Sequence, residues 1–182
     1  METDDEMAAM RDRIGRIEDR QAIHDLLMRY CRGVDRLDRD LILSVYHPDG
    51  WDDHGSFRGS PEAFADWVLS GHRDTVACCT HFLSNSLVRF DGADVAHGES
   101  YVIAVHRRTI DGALHDMMGA GRYIDRFERR DGEWKIARRT VIGDWDRIDP
   151  VDRQWSGPLT EALAPGRRSP DDPSYALGMA VA

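Results

Sequence analysis

The amino-acid sequence predicts an α+β fold: three N-terminal helices packed on a strongly curved antiparallel β-meander. Three observations carry this. Apolar residues recur at helical spacing as far as about residue 71. Asp91-Gly92, Asp111-Gly112 and Asp131-Gly132 then fall at an interval of twenty residues, and Asp-Gly between apolar-rich runs is a strong hairpin signal. After Asp146 the composition shifts to Pro150, Pro158, Pro165, Pro170 and Pro173 among glycines, serines and charges. The expected organisation is therefore a folded domain over 1–148 and a Pro-rich C-terminal tail over 149–182, extended or partly disordered and able to cap a pocket or pack on another subunit.

The first helix is predicted over 4–34. Ile23, Leu26, Leu27 and Tyr30 share one face, and Val34 extends it. Gly33 is expected to loosen the last turn. A second helix runs from Asp38, its N-cap, to Tyr46, with Leu41, Ile42 and Val45 inward. His47-Pro48-Asp49-Gly50 breaks it, and 51–57 reads as a short strand or an irregular turn. Ser60 and Pro61 open a third helix, with Phe64, Trp67 and Val68 at helical spacing, ending near Gly71. The Asp-Gly turns then delimit four long strands, 77–90, 94–110, 113–130 and 133–147. Strands of this length must twist and curl, and Gly119 and Gly121 mark a bend or bulge in the third. A curled sheet with helices across its concave face is a cone with a pocket inside.

Composition narrows the function. The chain has 182 residues and a formal net charge of −9, which argues against nucleic acid or an anionic membrane as partner. No apolar run approaches the roughly 20 residues that span a bilayer, and the charged N-terminus lacks a signal core, so a cytoplasmic protein is expected. Cys31, Cys78 and Cys79 form neither a disulfide framework nor a zinc or redox spacing. No nucleotide-binding or serine-hydrolase motif is present. Asp52, Asp53 and His54, with His47 nearby, read as a solvated turn rather than a metal site, and no metal or cofactor is expected.

Two residues ask for a reason. Asp35 sits where the apolar stripe of the first helix ends, against the negative end of the macrodipole, and a carboxylate facing the core needs a partner. His81 opens the first long strand, and alternation puts it on one face with Leu83, Asn85 and Leu87. It is either a satisfied structural histidine or a base oriented by Asp35, whose carboxylate would fix its tautomer. Tyr30, five residues before Asp35, is core packing or a hydrogen-bond donor to a developing oxyanion or leaving group; a turn loosened at Gly33 would let both point to one cavity. His106, Trp51, Trp67 and Trp145 are candidate cavity walls.

The order of elements, the Tyr-x4-Asp ending of the first helix in YCRGVD, the Thr-His opening of the meander in CTHFLSNSLVRF, and the hairpin YIDRFERRDGEWKIARRT resemble the nuclear transport factor 2-like superfamily, a cystatin-like α+β barrel, and within it the SnoaL-like, polyketide-cyclase-like branch. The resemblance covers about residues 8–148. It implies a catalytic set of Tyr30, Asp35 and His81, as in bile-acid 7α-dehydratase; scytalone dehydratase and hexachlorocyclohexane dehydrochlorinase are the other related patterns. The dehydrochlorinase pattern shares Asp35 and His81, has a lysine in place of Tyr30, and adds an arginine near Arg138. The bile-acid pattern's further acidic residue falls near Val105 or His106 and its late arginine near Gly143, so those two elements are missing. Substrate contacts are expected from Arg138, Asn85, His106 and Trp51. The implied function is a cofactor-independent dehydratase-type lyase acting on a small hydrophobic ring compound, steroid-like or polyketide-like. A ketosteroid-isomerase-type isomerase using the same base, or a binding module without turnover, are the alternatives. The resemblance also implies a homo-oligomer, trimer or dimer.

Overall fold

A computed structural model of the chain describes residues 2–154 and 156–179, with side chains from residue 4. Helix α1 runs from Glu2 to Arg36 and α2 from Arg39 to Ser44. Strands β1 (Tyr46–Asp53) and β2 (Arg58–Gly59) precede α3 (Pro61–Arg73). The long strands β3 (Val76–Asp91), β4 (Val95–Ile110), β5 (Ala113–Arg130) and β6 (Glu133–Pro150) follow, then a short α4 (Pro158–Glu161) and a final helical turn, Tyr175–Met179.

The six strands form one sheet in the order β2-β1-β6-β5-β4-β3. The meander is antiparallel as expected, with partners such as Ile110 and Ala113, and Arg130 and Glu133. Asp111 and Asp131 take φ of 50° and 53°, and Gly112 and Gly132 take 80° and 84°. Two successive residues at positive φ make the tight two-residue turns that Asp-Gly favours. The break at residues 47–50 is not a loop: it lies within β1, which pairs parallel with β6. The sheet is therefore mixed, and β1 supplies one of its flanks.

Both helix starts read from the sequence are made. Asp38 Oδ1 accepts from Leu41 N at 3.0 Å, and Ser60 Oγ from Ala63 N at 3.3 Å. Gly33, by contrast, loosens nothing. A Cβ there would lie 2.9 Å from Ile42 Cγ1, so the glycine lets α2 pack against α1. The helix ends three residues later, with Leu37 at φ 55° and Asp38 N donating to Gly33 O at 2.9 Å. This is a helix stop of Schellman type, with leucine in the position glycine usually takes.

The core lies between α1, α3 and the concave face of the sheet, around Ile23, Leu26, Tyr30, Phe64, Phe127 and Ile136, all at most 1% exposed. Asp19 ties α1 across it, accepting from Trp134 Nε1 at 2.8 Å and from Arg129 Nη1 at 2.9 Å. The C-terminal segment folds back on α1. Arg32 Nη2 reaches Ser174 Oγ at 3.2 Å, and Tyr175 O–H donates to Asp38 Oδ2 at 2.9 Å.

Candidate active site

Helices α1 and α3 and the inner face of β3 to β6 enclose a cavity of about 590 Å³. Tyr30, Val34, Phe64, Trp67, Val102 and Tyr123 give it a largely apolar lining, into which His54, His72, His81 and His106 project. At Gly121 a Cβ would lie 2.2 Å from Ile142 O. The pairing of β5 with β6 slips by one residue there, from Ala120–Trp145 to Gly121–Gly143. Of the two glycines expected to mark a bend in this strand, Gly121 lies at the slip, where the residue left over is Asp144 of β6, while Gly119 pairs in register with Asp146.

Asp35 and His81 meet. His81 Nδ1 lies 2.7 Å from Asp35 Oδ1, and the His81 backbone N–H donates to Asp35 Oδ2 at 3.1 Å. The side chains are 7% and 13% exposed, so the pair is screened from bulk water, and both carboxylate oxygens are occupied. An Nδ1–H donated to a carboxylate leaves Nε2 as the lone-pair nitrogen. Arg168 explains how the carboxylate is tolerated at the end of α1: its guanidinium donates to Val34 O (3.0 Å), Asp35 O (3.0 Å) and Val76 O (3.1 Å). A cation against the last helical carbonyls offsets the negative end of the macrodipole, and Val76 belongs to the strand that carries His81.

Tyr30 lines the cavity but is not brought to Asp35. The helix is continuous through both residues, and five residues turn through about 140°. Tyr30 O–H instead lies 3.1 Å from His54 Nε2. His54 Nδ1 bonds Asp52 Oδ1, and Tyr46 O–H donates to Asp52 Oδ2 at 2.6 Å. Asp52 is fully buried. Burial holds the Tyr30 phenol well above its ordinary range, against the opposing pull of the Arg139 cation.

Of the other expected contacts, His106 lines the cavity, 6.0 Å from His81 and 5.1 Å from His72 between ring centres. Burial, then the neighbouring histidine and Arg168, push the imidazole of His72 down to about 3 and that of His106 to about 4, so both rings are neutral at pH 7. Trp67 and Trp145 line the cavity; Trp51 does not.

Arg138, Asn85 and Trp51 are corrections, and one cause accounts for the first two. Each of these sits beside a β-bulge, where one extra residue reverses which side chains point inward. In β6, Trp134 and Ile136 face the core, so alternation assigns Arg138 to it. The pairing jumps from Arg126–Arg138 to Phe127–Ile136, leaving Ala137 over. Arg138 is turned out and Arg139 turned in, 0% exposed. In β3 the slip lies between Leu83 and Ser86, so Asn85 is exposed. Trp51 needs no bulge: it has the opposite parity to the inward Tyr46 and is 41% exposed, while Asp52 shares that parity and faces inward.

The sequence reading missed Arg139, as it missed Asp52 and His54, which it read as a solvated turn although Asp52 is 0% exposed and His54 lines the cavity. Arg139 forms a double ion pair with Asp125, both bonds 2.8 Å. Its guanidinium lies 4.0 Å from the ring centre of Tyr30 and 4.1 Å from that of Tyr123. Burial alone would lower its pKa, but Asp125 holds it well above the usual value. The cysteines are free, as expected: Cys31 and Cys79 are buried and Cys78 exposed. Burial pushes the Cys31 thiol up to about 12 and raises Cys79 as well. His72, Cys79 and His106 each bring one donor atom within 4.8 Å of the others. The Arg168 guanidinium, 3.2 Å from His72 Nδ1, opposes a metal ion there.

A family model described as a SnoaL-like domain matches residues 15–140. The chain belongs to the SnoaL-like family. SnoaL-like domains are part of the nuclear transport factor 2-like superfamily, and the curved sheet with its helices is the α+β barrel expected of it. Gamma-hexachlorocyclohexane dehydrochlorinase of Sphingobium indicum is 27% identical over 139 residues, 72% of this chain and 85% of that protein. The crystal structure of hexachlorocyclohexane dehydrochlorinase LinA-type3 from Novosphingobium barchaimii superposes with a TM-score of 0.69 at 24% identity, over 80% of this chain and 99% of that one. A protein of unknown function with a cystatin-like fold from Nostoc punctiforme gives a TM-score of 0.58 at 21% identity, over 69% and 91%. The structural likenesses speak to the fold alone.

Proposed function

We propose that this SnoaL-like protein is a cofactor-independent lyase that carries out a dehydratase-type elimination on a small hydrophobic ring compound, steroid-like or polyketide-like. The observation that carries the reading is the Asp35–His81 pair, 2.7 Å apart and opening on an apolar cavity of about 590 Å³. His81 removes a proton from carbon next to an activating carbonyl. Asp35 holds the ring in the tautomer with Nε2 free and stabilises the imidazolium that forms. Tyr30 protonates the leaving group or steadies the enolate oxygen. A cavity of this size and lining suits a ligand of one to a few rings. The relative named as a dehydrochlorinase supports elimination as the class of reaction.

The test is turnover of a panel holding β-hydroxycyclohexanone, a β-hydroxy ketosteroid and γ-hexachlorocyclohexane, followed by enone absorbance or chloride release. Asp35→Asn and His81→Ala should abolish turnover while leaving the fold and ligand uptake intact. Full activity in both variants would refute the assignment, and uptake without turnover in the wild type would favour a binding module. The same reading includes a homo-oligomer, dimer or trimer, closed over the outer face of the sheet. Phe82 and Ile103 are cross-strand partners there, 57% and 38% exposed, with Tyr101 beside them at 42%. Sedimentation as a monomer at micromolar concentration would contradict it.

A further inference from the structure

Asp52 and His54 have no part in the reaction just described, yet they repeat the arrangement of Asp35 and His81. In each case a carboxylate, fully buried in Asp52 and 13% exposed in Asp35, binds Nδ1 of an imidazole. The two pairs reach the cavity from different flanks of the sheet: His54 follows β1, and His81 lies on the edge strand β3. The His54 ring is stacked on Phe64 with centres 4.6 Å apart, and its side chain is 18% exposed. Its Nε2 is 3.1 Å from the Tyr30 oxygen, which itself lines the cavity. Tyr46 occupies the second oxygen of Asp52, so the carboxylate has no reason to turn away from His54. A carboxylate, an imidazole and a phenol joined in sequence and ending at a cavity form a path for one proton.

We propose that the Asp52–His54 pair supplies the proton taken by the leaving group, through Tyr30, and that the site is therefore built for an oxygen leaving group, a hydroxyl β to a carbonyl, rather than for a halide. The inference rests on the lyase reading of His81. His81 Nε2 takes the proton from the carbon next to the carbonyl, and the electron pair of that C–H bond becomes the new C=C bond. The C–O bond breaks with its electron pair on oxygen. That oxygen takes the Tyr30 proton and departs as water. The His54 imidazolium then passes its Nε2 proton to the Tyr30 oxygen. His81 gains one proton and His54 loses one, so the charge of the site is unchanged. Burial disfavours a standing Tyr30 phenolate, so its proton must be replaced as it leaves, and His54 is the neighbour placed to do so. A halide departs as an anion and has no use for such a path.

The test compares β-hydroxycyclohexanone with β-(para-nitrophenoxy)cyclohexanone, whose leaving group needs no proton. On the hydroxy compound His54→Gln and Tyr30→Phe should each lower kcat at least about 100-fold, the lower end of what a positioned acid contributes, with KM little changed. On the aryloxy compound the loss should shrink at least about tenfold, whereas His81→Ala should lose as much on either compound. Equal losses from His54→Gln on the two compounds overturn the relay. Undiminished turnover in His81→Ala instead overturns the assignment of His81 as base, the reading on which the relay rests. A second measurement does not need turnover: nitrogen NMR of the imidazole rings should show the His54 Nε2 signal moving in Tyr30→Phe and the Nδ1 signal moving in Asp52→Asn. A His54 ring indifferent to both substitutions refutes the inference whatever the substrates do.

Discussion

Replacing Arg139 by methionine should be the most damaging single change beneath the site. The arginine and Asp125 are 0% and 1% exposed and share two bonds of 2.8 Å. Methionine fills much of the same volume and leaves a buried carboxylate without a counter-charge. Breaking such a pair from one side costs about 3–5 kcal/mol. The guanidinium also lies against the faces of Tyr30 and Tyr123 at 4.0 and 4.1 Å, contacts worth roughly 0.5–2 kcal/mol each, part of which methionine recovers by packing. A net loss of about 4 kcal/mol is a large share of the roughly 5–15 kcal/mol that holds a domain folded. At about 2–4 °C per kcal/mol for a chain of this size, the melting temperature should fall by roughly 10 °C. Asp125→Leu combined with Arg139→Met removes both charges and should recover at least about 2 kcal/mol, the non-additivity expected of a directly bonded pair. Urea unfolding of the wild type, both single variants and the double variant closes the cycle. An Arg139→Met protein within about 1 kcal/mol of wild type, or strictly additive losses, would refute the argument that the pair holds the wall behind Tyr30.

Three further outcomes follow from the same geometry. Arg168→Ala removes three bonds to backbone carbonyls of α1 and β3; at a net of about 0.5–1.5 kcal/mol each, discounted for partial exposure, the unfolding free energy from urea titration should drop by roughly 2 kcal/mol, and an unchanged value would contradict the latch. His72 and His106 are held at about 3 and 4, below the ordinary 6.5, so the unfolded chain binds protons that the native state refuses. Their contribution to stability is complete above about pH 6.5 and declines as pH falls through the window below it; His72→Gln combined with His106→Asn should flatten that part of the stability profile, and an unaltered slope counts against the assignment. Gly121→Ala places a methyl group 2.2 Å from Ile142 O, an overlap with backbone that should cost at least about 2 kcal/mol, read as a lower midpoint in thermal unfolding; an unchanged midpoint would mean the two strands move apart freely.

What could be read from the sequence was what depends on local rules. Asp38 and Ser60 announce helix starts, and Asp-Gly announces hairpins, because a cap or a tight turn is chosen by a few adjacent residues. The meeting of Asp35 with His81 was also legible: a carboxylate at the end of an apolar stripe needs a partner, and the first inward polar residue of the meander offered one. Bulges were not legible. The inward set of a strand is inferred by counting in twos, and Ala137 adds a residue that nothing in its side chain announces. Arg138 was expected from a family pattern that places an arginine near that position; Arg138 and Arg139 are chemically identical, and counting in twos favours the wrong one. Asp52 and His54 carried a weak signal. They are two apart and share parity with Tyr46, as one face of a strand requires, but the proline and glycine at 48 and 50 argued for a break. The parallel pairing of β1 with β6 that overrides this break is a tertiary contact, and a local reading has no access to it.

The unbroken course of α1 is what makes two acid–base pairs possible. A hinge at Gly33 would turn Tyr30 and Asp35 toward one point and leave a single cluster. The continuous helix holds them about 7.5 Å apart along its axis and about 140° apart around it, so each meets a different histidine from a different flank of the sheet. The proposed elimination needs that separation, because its base would act on one carbon and its acid on the leaving group of the next, and the two must not neutralise each other. A Cβ on residue 33 would sit 2.9 Å from Ile42 Cγ1, so the glycine serves the packing of α2 rather than any flexibility. That packing also places Asp38, the cap of α2, where Tyr175 of the C-terminal segment donates to it at 2.9 Å. The same segment delivers Arg168 to the carbonyls of Val34 and Asp35. The spacing between the two pairs is thus set by the stiffness of one helix and by the segment that closes over its end, and loosening either should misplace the base relative to the acid before it unfolds the barrel.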